Sequence, residues 1–81
     1  MDPLERQVSD ALTIRGIPFT TPAMRRDASG LDFRLPNGVE IEVTFAFTER
    51  KVRQCASTRD VILLQGPDAV RVFCDLISRH P

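Results

Sequence analysis

Between residues 31 and 47 the chain alternates apolar and polar positions with a period of two. Leu31, Phe33 and Leu35 form one apolar set, with Asp32 and Arg34 between them. After Pro36-Asn37-Gly38 the alternation resumes: Val39, Ile41, Val43, Phe45 and Phe47 point one way, Glu40, Glu42 and Thr44 the other. The pattern predicts two strands joined by a tight turn. Asn37-Gly38 is the pair that tolerates the positive φ of a two-residue hairpin loop. Such a hairpin buries one face and brings Asp32 near Glu42 on the other.

Upstream the period changes to that of a helix. Leu4, Val8, Ala11 and Leu12 share one stripe, and Asp2-Pro3-Leu4-Glu5 is a good start for it. Asp2 can cap, Pro3 fits the first turn, and Glu5 can complete a capping box. Gly16 is the expected stop. Residues 17–30 contain Pro18, Pro22, Ser29 and Gly30, and read as an extended excursion with room for one short strand, anchored by Ile17 and Phe19.

Downstream, Thr48 is placed to cap a helix with Val52, Cys55 and Ala56 facing inward and Arg50, Lys51, Arg53 and Gln54 on the rest of its surface. Val61–Leu64, bounded by Asp60 and Gly66, has the continuous apolar pattern of a strand buried on both faces. Gly66-Pro67-Asp68 then opens a last helix whose buried stripe is Val70, Phe73, Cys74 and Ile77. Helix, hairpin, helix, strand, helix is an α/β order, with no repeat or linker to divide residues 1–81 into more than one domain.

Composition narrows the function. An 81-residue domain has a thin core, so a homodimer is a natural supplement. Formal net charge is zero, which excludes a global field for nucleic acid and leaves only local patches. The basic residues are ten Arg and the single Lys51, and Arg is the better planar partner for phosphate. Cys55 and Cys74 lack a CxxC pairing and read as reduced, half-buried residues without a zinc site. His80 stands beside the end of the chain. No apolar run approaches a membrane span, and no membrane partner is expected; the expected compartment is the cytoplasm.

The chemistry rests on the acidic face. Alternating charge on a half-exposed strand often does nothing but keep a sheet face in water. Two carboxylates on adjacent rigid strands, however, also make a hard oxygen corner suited to Mg²⁺ or Mn²⁺.

The order of elements and a few local motifs resemble the PD-(D/E)XK nuclease superfamily. The similarity is to its small resolvase-like and very short patch repair endonuclease-like branches. The residues that carry it are Gly16-Ile17-Pro18-Phe19, Leu31-Asp32-Phe33-Arg34-Leu35-Pro36 and Ile41-Glu42-Val43. The resemblance implies a small three-layer restriction-endonuclease-like core in αβββαβ order, with a mixed sheet flanked by helices and an added C-terminal helix. It implies Asp32 and Glu42 as ligands of Mg²⁺ (or Mn²⁺), with Glu5 as the acidic residue of the first helix. Gln54 would match a glutamine that some branches carry on the helix after the motif.

One departure stands out. The superfamily usually has lysine two residues after the motif glutamate, and here that residue is Thr44. A neutral hydroxyl cannot stabilise developing charge as an ammonium does. Some members recruit a lysine from elsewhere, and Lys51 is the one this chain offers.

The resulting expectation is a metal-dependent endonuclease, a hydrolase acting on nucleic-acid phosphodiesters, most simply DNA. Asp32, Glu42 and Lys51 would be its catalytic residues. Arg25, Arg26, Arg50, Arg53 and Gln54 would contact the nucleic acid. The alternative is a catalytically degenerate nuclease-fold module that binds nucleic acid or a protein partner. A third reading has Asp32, Glu40 and Glu42 mimic phosphate charge toward a nucleic-acid-binding enzyme.

Overall fold

Asp2 starts the first helix, α1 (Pro3–Ile14), as its side chain accepts the Glu5 N–H at 2.9 Å. In this computed structural model, which describes residues 1–26, 31–46, 48–56 and 60–79, Leu4, Val8 and Leu12 of α1 are buried. Gly16 takes φ 68°, and the Ile17 N–H reaches back to the Leu12 carbonyl at 2.9 Å, which closes the helix end. Ile17 and Phe19 pack on the core, and the Phe19 ring meets Phe33 edge-on at 5.2 Å.

The excursion holds more order than its prolines predict. Thr20 bridges Arg34 through two backbone hydrogen bonds of 2.9 Å. Thr21 then caps a short helix, α2 (Pro22–Arg25), with Pro22 in its first turn.

The hairpin pairs β1 (Phe33–Arg34) antiparallel with β2 (Glu40–Thr44), in the register Phe33 with Ile41 and Arg34 with Glu40. Its turn differs from the expected two-residue loop. The Leu35 N–H bonds Val39 O at 2.9 Å and the Gly38 N–H bonds Leu35 O at 3.0 Å, so Pro36, Asn37 and Gly38 form a three-residue loop. Gly38 alone in that loop has positive φ, at 89°. The physical reason is the hydrophobic pattern: a two-residue loop would shift the register by one and turn alternate residues to the wrong face.

β2 is the central strand of a mixed three-stranded sheet in the order β1-β2-β3, its parallel partner being β3 (Val61–Gln65). α3 (Glu49–Ala56) makes the crossover, and α4 (Gly66–Arg79) follows β3. Phe33, Ile41, Val43 and Leu64 form one cluster with Leu4, Val8 and Leu12 of α1 and Val70 of α4. Each such side chain contributes about 1.5–3 kcal/mol on burial. The architecture is therefore a small α/β domain, with four helices among the described residues.

Three expectations change. Phe45 is 63% exposed, because β2 ends at Thr44 and the chain bends away. Of the apolar residues in β3 only Leu64 is fully buried, since β3 is an edge strand among the described residues. Val52 and Ala56 of α3 face outward, whereas Lys51 and Cys55 are half-buried. Phe73, Cys74 and Ile77 do pack against the core. Phe47 and His80 lie outside the described residues. No described helix is long and apolar enough to cross a membrane.

Candidate functional site

The sheet face opposite the α1–α4 core carries the acids. Because the strand period is two, the register that buries Phe33 and Ile41 turns Arg34, Glu40 and Glu42 to the other side. Asp32 sits in a bend just before β1, beyond the last ladder pair. Its carboxylate takes the place of a backbone acceptor there: the Val43 N–H donates to Asp32 Oδ2 at 2.8 Å. A longer contact of 3.4 Å runs from the Asp32 N–H to Glu42 Oε1.

Glu42 is 2% exposed, and its second oxygen, Oε2, accepts from Lys51 Nζ at 2.5 Å. Lys51 comes from the first half of α3, a helix capped by Thr48, whose hydroxyl accepts the Lys51 N–H at 3.2 Å. A buried carboxylate under this helix explains its rotation. Turning Val52 inward would leave the Glu42 charge without a partner, a cost larger than that of exposing one valine.

The electrostatics follow from this geometry. Burial pushes the Asp32 carboxyl up to about 7, reinforced by its hydrogen bond with Glu42 and the adjacent Glu42 charge, and opposed by the Val43 N–H. Hydrogen bonding to Glu42 raises the Lys51 ammonium above its ordinary range. Cys55, one turn further along α3, has its thiol pushed up by burial and then by the Glu42 charge. The site is thus two neighbouring acidic residues, joined by the Asp32 N–H contact to Glu42, with one ammonium on the more buried carboxylate.

A second pair lies on the same face, where the three-residue loop sets Arg34 opposite Glu40; the sequence signals it only through their shared polar face. Arg34 grips Glu40 Oε1 through Nε at 2.7 Å and Nη2 at 2.6 Å, and Glu40 is 5% exposed. Glu40 and Glu42 are therefore both neutralised by cations, which removes the basis for a phosphate-mimicking acidic face.

The other candidates are dispersed. Glu5 is half-buried; burial and then a hydrogen bond with Asp2 raise its carboxyl, and Glu42 acts on it more weakly. Arg25 donates to the carbonyl and hydroxyl of Thr20 at 2.9 and 2.8 Å and to Leu31 O at 3.3 Å, so it ties the excursion to the hairpin. Arg26 and Arg50 are exposed. Arg53 pairs with Glu49 at 2.6 Å on the exposed side of α3. The Gln54 side chain lies outside what the structure describes. Thr44, at the usual lysine position, donates its hydroxyl to Ala46 O at 2.8 Å and serves the chain reversal after β2.

The donor set suits a hard divalent cation. Among the described residues no three Asp, Glu, Cys or His side chains converge on one point. Mg²⁺ does not need three, since it retains several waters and binds through one or two carboxylates. Two neighbouring carboxyl groups, one of them held up to about 7, form a pair that a cation would relieve. No protein-family model, curated protein or solved structure matches this chain.

Proposed function

We propose that the protein is a small Mg²⁺-dependent nuclease of the PD-(D/E)XK type, resolvase-like in size, that hydrolyses phosphodiesters of nucleic acid, DNA foremost. The observation that carries this is the contact of the Asp32 N–H with Glu42 at 3.4 Å, which sets the two acids side by side, completed by the Lys51 ammonium. The order of elements supports it. Helix α1, the Thr20 bridge, β1, β2, α3 and β3 are compatible with αβββαβ if the bridge is counted as a reduced first strand and the short α2 between it and β1 as an insertion. α1 and α4 pack on one sheet face and Lys51 of α3 reaches Glu42 on the other, which is compatible with a three-layer core.

In this reading Asp32 and Glu42 would hold the cation, and Glu5 would lend negative potential from α1. A cation held there would supply an acidified water and positive charge for the phosphoryl oxygens. Lys51 restores the ammonium that Thr44 lacks, delivered from α3 and aimed by Glu42. Arg26 and Arg50 contact backbone phosphates, and Arg53 joins them by exchanging Glu49 for phosphate, which gives a salt-sensitive affinity. Arg25 has a positioning role, through Thr20 and Leu31.

The test is cleavage of branched, double-stranded and single-stranded substrates with Mg²⁺ or Mn²⁺. Loss of activity in Asp32→Ala and in Glu42→Ala is expected, and activity that survives both sinks the proposal. A second reading is a degenerate module that binds without cutting. Thr44 in place of lysine and the direct Lys51–Glu42 pairing favour it. Nucleic-acid retention without cleavage under any metal would select that reading.

A further inference from the structure

We infer that the outer face of α4 is a self-association surface, whose occupant is α4 of a second copy packed antiparallel across a two-fold axis. The inference is independent of the catalytic reading. α4 buries Val70 and packs Phe73, Cys74 and Ile77 on the core, yet it also carries Val72 and Leu76, 48% and 57% exposed. With Leu64, Ala69 and Phe73 these two line an apolar groove of about 380 Å³. At 100° per residue, Asp68, Val72, Leu76 and Arg79 fall within about 80° of the helix circumference. They form one stripe, apolar in the middle and charged at its ends.

The charges choose the partner. Along the exposed side of α4 the order is Asp68, Arg71, Asp75, Arg79: acid, base, acid, base. Reversing that order gives its complement. An antiparallel two-fold crossing centred near Cys74 therefore sets Val72 against Leu76 of the second copy and Asp68 against Arg79. On the flank, Arg71 meets Asp75. Each pair occurs twice, as an isologous interface demands. A parallel arrangement would instead oppose like charges. The Asp68 side chain is 98% exposed and that of Arg71 64%, and their mutual contact is a loose 3.8 Å, so both are available to a partner. The contact is one helix about 21 Å long. With a helix width of about 10–12 Å, that footprint is well under the roughly 800 Å² per partner of a standard interface, so the dimer is weak and concentration-dependent.

Sedimentation velocity on the full chain, over roughly a hundredfold range of concentration, is the test. The expected result is a reversible monomer–dimer equilibrium that weakens with salt. Leu76→Glu should raise Kd at least about tenfold, with circular dichroism showing the fold retained. Asp68→Arg and Arg79→Asp should each weaken association, and the double variant should restore it. A protein monomeric at every concentration overturns the inference and assigns the face to some other partner. A dimer unaffected by Leu76→Glu, or charge reversals that do not compensate, overturns it equally, because the contact would then lie elsewhere.

Discussion

Replacing Asp32 by Asn should make the metal-free protein more stable above neutral pH while removing its cleavage activity. The carboxyl of Asp32 is pushed from its ordinary 3.8 to about 7 by burial and by Glu42. Between those values the native state binds more protons than the unfolded chain, so stability falls as pH rises from about 4 through 7. At about 1.4 kcal/mol per pH unit the ceiling is about 4 kcal/mol. Asp32 is only partly buried, and solvent screening reduces the expected effect to about 2 kcal/mol. An Asn amide avoids the penalty: its oxygen can accept the Val43 N–H and its NH₂ can donate to Glu42. In a domain of 81 residues the gain corresponds to a Tm rise of roughly 10 °C. The assay is thermal unfolding of both proteins from pH 4 to 9 in EDTA, with a parallel series in Mg²⁺. The difference should be near zero at pH 4 and full by pH 8, and Mg²⁺ should stabilise the wild type but not the variant. A difference that does not change with pH would refute the claim that these carboxyl groups share one buried corner.

Lys51→Met should lower cleavage about 10²–10³-fold, by the scale of a lost electrostatic group. It should also cost about 1–2 kcal/mol in stability at pH 7, moderated because the ammonium is 33% exposed; quantitative cleavage assays and urea titration measure the two effects. Phe33→Ala removes a fully buried ring and its edge contact with Phe19, and should destabilise by about 3–4 kcal/mol, enough to unfold much of so small a domain at 37 °C by circular dichroism. Asp2→Ala loses the α1 cap and should cost about 1 kcal/mol in chemical unfolding without altering cleavage.

Most of the scaffold could be read from periodicity. Leu4, Val8 and Leu12 predict α1, and the alternation around Phe33 and Ile41 predicts which hairpin face is buried. The turn shows why local signals fail alone. Asn37-Gly38 argued for two residues, which would have set Asp32 opposite Val43. Burial of a whole apolar face outweighs the preference of one dipeptide, and the three-residue loop sets position 32 opposite 42 instead. Lys51 was legible as a candidate only because it is the chain's single lysine. Its contact with Glu42 depends on how α3 rolls over the sheet, and that roll answers to a buried charge nine residues earlier. The exposure of Val52 follows from the same long-range choice, and short-range pattern has no access to it. By its type and neighbours Arg25 reads as a contact for nucleic acid, whereas it meets carbonyls that only folding brings near.

The acceptor role of Asp32 turns a main-chain hydrogen into a gauge. The Val43 amide proton rests on a side-chain oxygen that titrates, where its neighbours in the ladder rest on carbonyls that do not. Its exchange with deuterium should therefore quicken as the medium is acidified past neutrality, relative to the amides around it. That single resonance would register, without any substrate, whether the corner is charged.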